Sequence, residues 1–326
     1  MDRPPAIALL GLGEAGAEIA RDLVARGADV RGYDPRVAPP PGVLPRTDEA
    51  AAVADADVVL SVNSAADAPV ALRNALPRLQ PGAVWADLNT AAPGVKRDLA
   101  ATLAGRGVPV ADVALLATVP GRGLRTPMLV SGDGAHRYAQ VLAGFGVTVD
   151  VLDGPPGAAI SRKLLRSVFW KGVAAAVVEA VEGAEAAGVG DWLRRDIAAE
   201  LDRFAASDLE VFLTGSRQHA RRRTAEMAAA AQQLADLGVP SRVAAAARDQ
   251  LAALADAAAA DEDDGRPDRR QANARCGSGR PQAGTLDAGT GAPPEGVMSV
   301  TVVAASLTDA DVDATAAYAQ GTDAVR

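Results

Sequence analysis

The sequence predicts an α/β fold in which a doubly wound parallel sheet is followed by an all-α helical domain. Short apolar runs alternate with helical patterns as far as residue 151, and a Gly/Pro-rich break follows at 153–157. From residue 158 to about 258 only helical periodicity occurs. Repeated β-α-β order indicates a parallel sheet covered by helices on both faces. We therefore predict a first domain over residues 1–155 and a helical domain over residues 156–260.

The individual elements follow from the spacing of apolar residues and from Gly, Pro and Ser signals. Strands are predicted at residues 6–10, 30–33, 58–62, 84–87, 108–113, 128–131 and 147–151. Helices between them are predicted at residues 14–26, 68–76, 94–104 and 135–145. The second domain is predicted to hold helices at 158–187, 192–212, 218–237 and 241–258, with stops at Gly188, Gly215, Gly238 and Pro240 and an N-cap at Ser241.

The C-terminal part of the sequence predicts a homodimer interface and an unstructured tail. The helix at 158–187 is rich in Ala, Val and Leu and is too long for one small domain to cover. It therefore predicts a homodimer formed through the C-terminal helices. Residues 261–326 lack a periodic pattern that could build a core, and we predict that they are disordered or an artefact of cloning or reading frame.

Composition excludes several classes of protein. The net charge is −8, and the only basic run is 221–223, which argues against a nucleic-acid partner. A single cysteine, Cys276, and two histidines predict neither a disulfide framework nor a Cys/His metal site. No apolar stretch is long enough to span a membrane, and no signal segment opens the chain. We expect a cytoplasmic protein with a small-molecule substrate.

The motif GLGEAG lies between the first predicted strand and the first predicted helix, where a G-x-G-x-x-G fingerprint binds a dinucleotide in a Rossmann-type fold. The first glycine permits the turn, the second permits close approach of a pyrophosphate, and the third permits helix–strand packing. The helix N-terminus adds N–H groups and a partial positive charge. We predict cofactor binding by Gly11, Leu12, Gly13, Glu14, Ala15 and Gly16. A purely structural glycine turn is the alternative.

The end of the second strand bears on the choice of cofactor. Asp34 lies about 20 residues beyond the glycines, where an acid can hold the adenosine ribose hydroxyls. This predicts NAD or NADP as cofactor with NAD favoured, because a carboxylate repels a 2′-phosphate. Arg36 could bind that phosphate instead, and Asp34 could be a plain turn residue before Pro35.

Polar residues also follow the next two strands, at the sheet edge where ligands of doubly wound folds bind. Asn63 follows the third strand, and Asn89 and Thr90 follow the fourth. We predict that these side chains contact the nicotinamide or the substrate. Thr90 could equally cap the helix that begins near Pro93.

These pieces, in this order, resemble the β-hydroxyacid dehydrogenase and 6-phosphogluconate dehydrogenase superfamily. GLGEAG matches its opening motif, and DLNTAAP matches its Asp-x-Ser-Thr-x-x-Pro with Asn89 in place of Ser. The family's substrate loop begins at Asp112 and keeps its spacing to Gly121 and Thr126. The Ser-Gly-Gly that holds a substrate carboxylate in relatives falls on Leu116, Ala117 and Thr118, so the usual carboxylate cradle is altered.

The resemblance also implies a catalytic lysine at Lys163, after Gly157, with Ser167 where relatives have Asn. Independently, Lys163, Ser167 and Lys171 are four residues apart and share one helix face. A lysine can protonate a carbonyl oxygen as hydride arrives. Solvated surface lysines are the alternative. The segment from 162 to 172 and the later residues 218–227 are similar to one subfamily, whose phosphogluconate dehydrogenase-like C-terminal domain has no known function.

The sequence therefore predicts an NAD(P)-dependent oxidoreductase that acts on a CH–OH or C=O carbon of a small anionic substrate, with Lys163 as general acid/base. His219 and Arg223 could present one cationic helix face to that substrate, or could be solvated residues. Two further hypotheses stay open. One is a dinucleotide-binding protein without turnover, and the other is a reductase of C=N bonds with the same fold.

Overall fold

The computed structural model describes residues 4–264 and confirms the predicted fold class. The chain divides into two units after Ala252, and the site described below lies in the first. Eight strands form one sheet in the order β3-β2-β1-β4-β5-β6-β7-β8. They are β1 (Ala6–Leu10), β2 (Asp29–Tyr33), β3 (Leu44–Pro45), β4 (Val58–Ser61), β5 (Val84–Asp87), β6 (Val110–Leu115), β7 (Met128–Ser131) and β8 (Asp150–Val151).

Ten α-helices accompany these strands in the described part of the chain. They are α1 (Glu14–Ala25), α2 (Glu49–Val53), α3 (Ala68–Ala75), α4 (Pro93–Leu103), α5 (Ala135–Gly144), α6 (Ala158–Ala186), α7 (Gly190–Arg203), α8 (Asp208–Gln218), α9 (Ala220–Asp236) and α10 (Arg242–Asp264). The division into domains at residues 155 and 260 stays a prediction. From residue 265 onward, the predicted tail lies outside the described residues.

Both faces of the sheet are covered, and side chains of β1 alternate between two cores. Ile7 and Leu9 lie in one core, which also includes residues of α1 and α5. Ala8 and Leu10 lie in the other, with residues of α3 and α4. Because both faces are buried, β1 is apolar throughout instead of alternating apolar with polar residues.

The sheet departs from the predicted parallel arrangement at one pair of strands. β7 runs antiparallel to β6, whereas the other paired strands are parallel. The connection at 116–127 contains only one short 3-10 helix, Gly123–Arg125, and no crossover helix. A parallel neighbour needs a crossover of a dozen or more residues, usually helical, so this connection favours the antiparallel return.

Other differences concern local helix signals. The predicted single helix at 192–212 is wrong, because residues 204–207 interrupt it and separate α7 from α8. There the Asp208 carboxylate accepts a hydrogen bond from the Ala205 N–H at 2.7 Å. Gly215 lies inside α8 and does not end a helix. Elements β3 and α2 were not predicted, although Asp48 caps α2 by accepting from the Ala51 N–H at 2.6 Å.

The first turn of α10 is capped by a distant side chain. The Glu179 carboxylate on α6 accepts from the N–H groups of Arg242, Val243 and Ala244 at 2.6–2.7 Å. Burial alone would raise the pKa of Glu179, but these backbone hydrogen bonds outweigh burial and hold the pKa below its ordinary value of 4.5. α10 begins directly after Ser241, the predicted N-cap residue, and the Glu179 carboxylate binds its first N–H groups.

Strand register aligns polar residues across the carboxyl edge of the sheet. Ser61 on β4 pairs with Asp87 on β5, and Asp87 pairs with Asp112 on β6. Asp112 in turn pairs with Ser131 on β7. All four side chains are buried, which leaves a row of polar groups across the sheet, next to the loops that follow β4 and β5.

Candidate functional site

The glycine loop joins β1 to α1. Gly11 has a φ of +94°, and a Cβ there would overlap the Val62 carbonyl oxygen. A Cβ on Gly16 would overlap the Gly11 carbonyl oxygen, so both positions require glycine for close packing. Gly13 differs, because a Cβ there would meet no atom within 4 Å. It precedes α1, whose first N–H groups have no partners within the helix. The loop therefore presents an open backbone surface at a helix N-terminus.

Leu12 and Asp34 fix the shape of this loop. The Leu12 side chain is buried in the core, and its N–H donates to Asp34 Oδ2 at 2.8 Å. Asp34 Oδ1 accepts from the N–H groups of Arg36 at 2.8 Å and Val37 at 3.0 Å. The Arg36 side chain is exposed and ion-pairs with Asp67 at 3.4 Å. Asp34 thus organises the turn after β2 and also the glycine loop, while a ribose contact stays a prediction.

Asn63 and Asn89 belong to one hydrogen-bonded cluster at the strand ends. Ser61 Oγ accepts from Asn63 Nδ2 at 3.1 Å and from Asn89 Nδ2 at 3.0 Å. Asn89 also donates through its Nδ2 to Asp87 Oδ1. Asn89 is only 2% exposed, so its side chain holds the loop after β5 from the buried side.

Thr90 and Lys163 meet above this cluster. Lys163 Nζ donates to Thr90 Oγ1 at 2.7 Å. The N-cap position of α4 is occupied by Ala92, and no side chain caps that helix. The alternative that Thr90 caps α4 is therefore not supported, and its hydroxyl pairs with the lysine instead. The contact joins α6 to the loop after β5.

The Lys163 ammonium is half-buried in a charged environment. Burial is the main cause that lowers the pKa of Lys163 below its ordinary value of 10.5. The nearby Lys96 lowers the pKa further, whereas Asp112 opposes both effects. A lysine with a lowered pKa is better suited to exchange a proton near neutral pH than an exposed one.

The other predicted residues of the same helix face have different surroundings. Ser167 Oγ donates to the Lys163 carbonyl at 2.9 Å, so its hydroxyl turns back onto α6. Lys171 is exposed. Arg166, which was not predicted as a site residue, donates from Nη1 to the Leu116 carbonyl. Leu116 and Ala117 are half-buried in the loop after β6, and Thr118 is exposed there. Helix α6 therefore contacts the loop after β5 through Lys163 and the loop after β6 through Arg166.

His219 and Arg223 lie at the junction of α8 and α9. His219 separates the two helices, and Arg223 Nη1 donates to Ser216 Oγ at 3.0 Å. Both are in the helical part of the chain and not at the strand ends. Their contact with a substrate stays a prediction.

Lys96 is a second site residue that sequence reasoning missed. Its ammonium lies 2.9 Å from Asp87 Oδ2 and 3.2 Å from Asp112 Oδ1. All three side chains are at most 1% exposed. A sequence signal existed, because Lys96 shares the buried face of α4 with Leu99 and Leu103.

Metal sites and membrane-spanning helices are both absent from residues 4–264. Within that range, no group of three or more His, Cys, Asp or Glu side chains could hold a metal ion. None of the helices there is both long and apolar enough to cross a membrane.

Known families match both parts of the chain. Residues 6–147 match the NAD binding domain of 6-phosphogluconate dehydrogenase, and residues 184–254 match a domain of unknown function, DUF1932. A conserved hypothetical protein from Sinorhizobium meliloti 1021 is 32% identical, and the alignment covers 77% of this chain and 88% of that one with a TM-score of 0.52. No protein with a curated description matches.

Two enzymes of lower identity share the fold. An imine reductase from Myxococcus stipitatus in complex with NADP+ is 16% identical over 78% of this chain and 95% of its own, with a TM-score of 0.66. A reductive aminase from Aspergillus terreus in complex with NADPH and ethyl levulinate is 17% identical over 76% and 93%, with a TM-score of 0.62. The chain belongs to the 6-phosphogluconate dehydrogenase-like family of NAD-binding proteins, in the group that carries this C-terminal domain of unknown function.

Proposed function

We propose that this protein is an NAD(P)-dependent oxidoreductase in which Lys163 is the general acid/base for a CH–OH or C=O carbon. The observation that carries the proposal is the 2.7 Å hydrogen bond from Lys163 Nζ to Thr90 Oγ1, at the carboxyl edge of a sheet with an open glycine loop. Ligands of doubly wound folds bind along this edge.

The glycine loop fits a dinucleotide. The open space beside Gly13 and the first N–H groups of α1 suit a pyrophosphate, and any side chain at Gly13 would intrude there. When bound, the nicotinamide supplies or accepts a hydride. Asp34 favours NAD because its carboxylate would repel a 2′-phosphate. Arg36, held beside Asp67 on the surface, is the residue that could accommodate that phosphate instead.

Lys163, held by its hydrogen bond to Thr90, would transfer the proton of the reaction. In reduction, the ammonium would donate a proton to the substrate oxygen, and in oxidation the neutral amine would take the hydroxyl proton. Burial and Lys96 lower the pKa of Lys163, which makes the neutral amine more accessible than in an ordinary lysine. The Thr90 hydroxyl holds the amine on the side of α6 that faces the strand ends.

Arg166 would bind an anionic group of the substrate. It lies three residues after Lys163 and reaches the loop of Leu116, where relatives carry their carboxylate cradle. A guanidinium offers five donors in a planar fork that matches a carboxylate. One of its nitrogens contacts the Leu116 carbonyl, and others on the fork could be offered to a ligand.

A reductase of C=N bonds is the second candidate. The altered loop at Leu116, Ala117 and Thr118 favours it, because these residues lack the glycines and serine that would cradle a carboxylate. The fold shared with an imine reductase and a reductive aminase is compatible with this candidate. A dinucleotide-binding protein without turnover is the third.

A substrate screen distinguishes the three. The full-length chain would be incubated with 2- and 3-hydroxyacids, sugar acids and imines, and nicotinamide absorbance followed with both cofactors. We expect turnover of an anionic hydroxyacid or oxoacid. Turnover of imines alone would favour the second candidate. Cofactor binding without turnover of any compound would contradict an enzymatic role.

We also propose a homodimer formed through the C-terminal helices, located in the cytoplasm. Helix α6 exposes large apolar side chains, including Leu165, Val168 and Trp170, each more than half exposed. Helices α7 and α8 add Trp192 and Phe212. Large apolar side chains exposed in such number typically mark a protein interface. Light scattering after size-exclusion chromatography should give twice the chain mass, and a monomer would contradict the proposal.

A further inference from the structure

Lys96 is buried on a helix face that is otherwise apolar. It is 1% exposed and lies one turn before Leu99 on the face of α4 that packs against the sheet. An isolated charge in such a place would be very costly, so a buried lysine needs anionic partners. The contacts of Lys96 therefore show what holds it there.

Three oxygens surround the Lys96 ammonium, which donates a hydrogen bond to the Asp87 carbonyl and forms ion pairs with two carboxylates. Nζ lies 2.9 Å from the Asp87 carbonyl oxygen and 2.9 Å from Asp87 Oδ2. The third oxygen is Asp112 Oδ1, in an ion pair at 3.2 Å. We call Asp87, Lys96 and Asp112 the buried ion triad.

One arm of the buried ion triad reaches the loop that carries Thr90. Asp87 Oδ1 accepts from the Asn89 N–H at 3.3 Å and from the Asn89 side chain. Asn89 is the immediate neighbour of Thr90 and also donates to Ser61. The position of the Thr90 hydroxyl is thereby linked to Asp87.

The other arm reaches the helix that carries Lys163. Asp112 Oδ2 accepts from the N–H groups of Gly157 at 3.0 Å and Ile160 at 3.1 Å. These groups form the first turn of α6, and Lys163 follows Ile160 by three residues. Lys96 thus lies between the two carboxylates that fix the two partners of the Lys163–Thr90 hydrogen bond.

We infer that Lys96 is a positioning residue which, through Asp87 and Asp112, holds Lys163 against Thr90 and sets the charge that Lys163 experiences. The inference rests on the proposed function. The charged side chains that act on Lys163 are Lys96 from α4 and Asp112 from β6, with Asp87 of β5 behind Lys96. On α6 itself, Arg162, Arg166 and Lys171 are the nearest cations along the chain.

The test is a direct titration of Lys163 in the full chain, without substrate or cofactor. The sequence has only three lysines, so lysine labelled with ¹³C at Cε gives three NMR signals that Lys163→Arg and Lys171→Arg assign. We expect Lys96→Met to raise the pKa of Lys163 by about one pH unit, the scale of a neighbouring charge. Asp112→Asn should lower the pKa of Lys163.

The opposite directions distinguish coupling from simple damage to the fold. Loosening of the site would move the Lys163 pKa upward, toward its ordinary value, in both variants. A shift in the same direction in both, or no shift in either, would overturn the inference. Asp112→Asn keeps Lys96 and is decisive alone if Lys96→Met does not fold, since the pKa must then fall. Arg73→Met removes an exposed positive charge from α3 and should leave the Lys163 pKa unchanged.

Failure of this inference can be separated from failure of the proposed function. The titration needs no turnover, so unchanged Lys163 pKa values would leave general acid/base catalysis by Lys163 intact. Turnover that survives loss of the Lys163 amine would contradict the proposed function and leave the titration result standing.

Discussion

Replacing Lys96 by Met should destabilise the protein more than most single substitutions. The change keeps an unbranched side chain of similar length but removes the cation between Asp87 and Asp112. Both carboxylates are at most 1% exposed and lie within 3.2 Å of the lost ammonium. Breaking a buried ion pair on one side costs about 3–5 kcal/mol because the remaining charge is left uncompensated.

The magnitude is large compared with the stability of a typical domain, which is about 5–15 kcal/mol. Asp112 keeps its hydrogen bonds from the first turn of α6, and Asp87 keeps those from Asn89, so neither carboxylate loses every partner. We therefore expect a cost within the 3–5 kcal/mol range and not above it. For a urea m-value of about 2–3 kcal/mol per M, the unfolding midpoint should fall by about 1–2.5 M.

Urea unfolding followed by circular dichroism measures this loss, with Arg73→Met as a matched control for an exposed cation. The control should change the free energy of unfolding by less than about 0.5 kcal/mol. Adding Asp112→Asn to Lys96→Met restores the net charge of the buried ion triad. The double variant should then lose about 0.5–3 kcal/mol less than the sum of the single variants. Strictly additive losses, or a Lys96→Met cost as small as that of the control, would refute the reasoning.

Three further substitutions test separate parts of the structure. Glu179→Gln should lower the free energy of unfolding by about 1 kcal/mol at pH 7, because it weakens the cap of α10. This difference between variant and wild type should shrink as the pH falls below 4.5 and vanish below the lowered pKa of Glu179, because the wild-type carboxyl is then protonated in the folded protein too. Equal losses in thermal unfolding at pH 7 and pH 3 would argue against the cap. Asp34→Ala should weaken the binding of NAD more than that of NADP in fluorescence titrations. An unchanged ratio of the two dissociation constants would leave Asp34 as a turn residue only. Arg166→Leu should raise KM for an anionic substrate by about tenfold or more, the effect of one lost charged hydrogen bond, and an unchanged KM would exclude Arg166 from substrate binding.

Local sequence signals were sufficient for the sheet core and the glycine loop. The turn at Gly11, the strand β1 and the helix α1 each depend on residues close in sequence, and their order fixed the fold class. The antiparallel β7 was missed because pairing direction depends on where the chain returns after residues 116–127. Apolar periodicity says nothing of that direction.

The candidate site was predicted only in part, for a similar reason. Lys163 and Thr90 were each selected, but only the folded chain joins them across 73 positions of sequence. Lys96 and Arg166 were missed because their partners come from other strands and loops. The apolar face shared by Lys96, Leu99 and Leu103 was the one local sign that this lysine is buried.

The most direct test of the central claim is turnover by Lys163→Met, using the substrate that the screen identifies. General acid/base catalysis contributes about 10²–10⁴-fold, so kcat should fall by that factor while the Kd for the nicotinamide cofactor stays at the wild-type value. Ser167→Ala, which removes a hydroxyl bonded only to the α6 backbone among its described contacts, serves as the comparison on the same helix. Wild-type turnover in Lys163→Met would contradict the account.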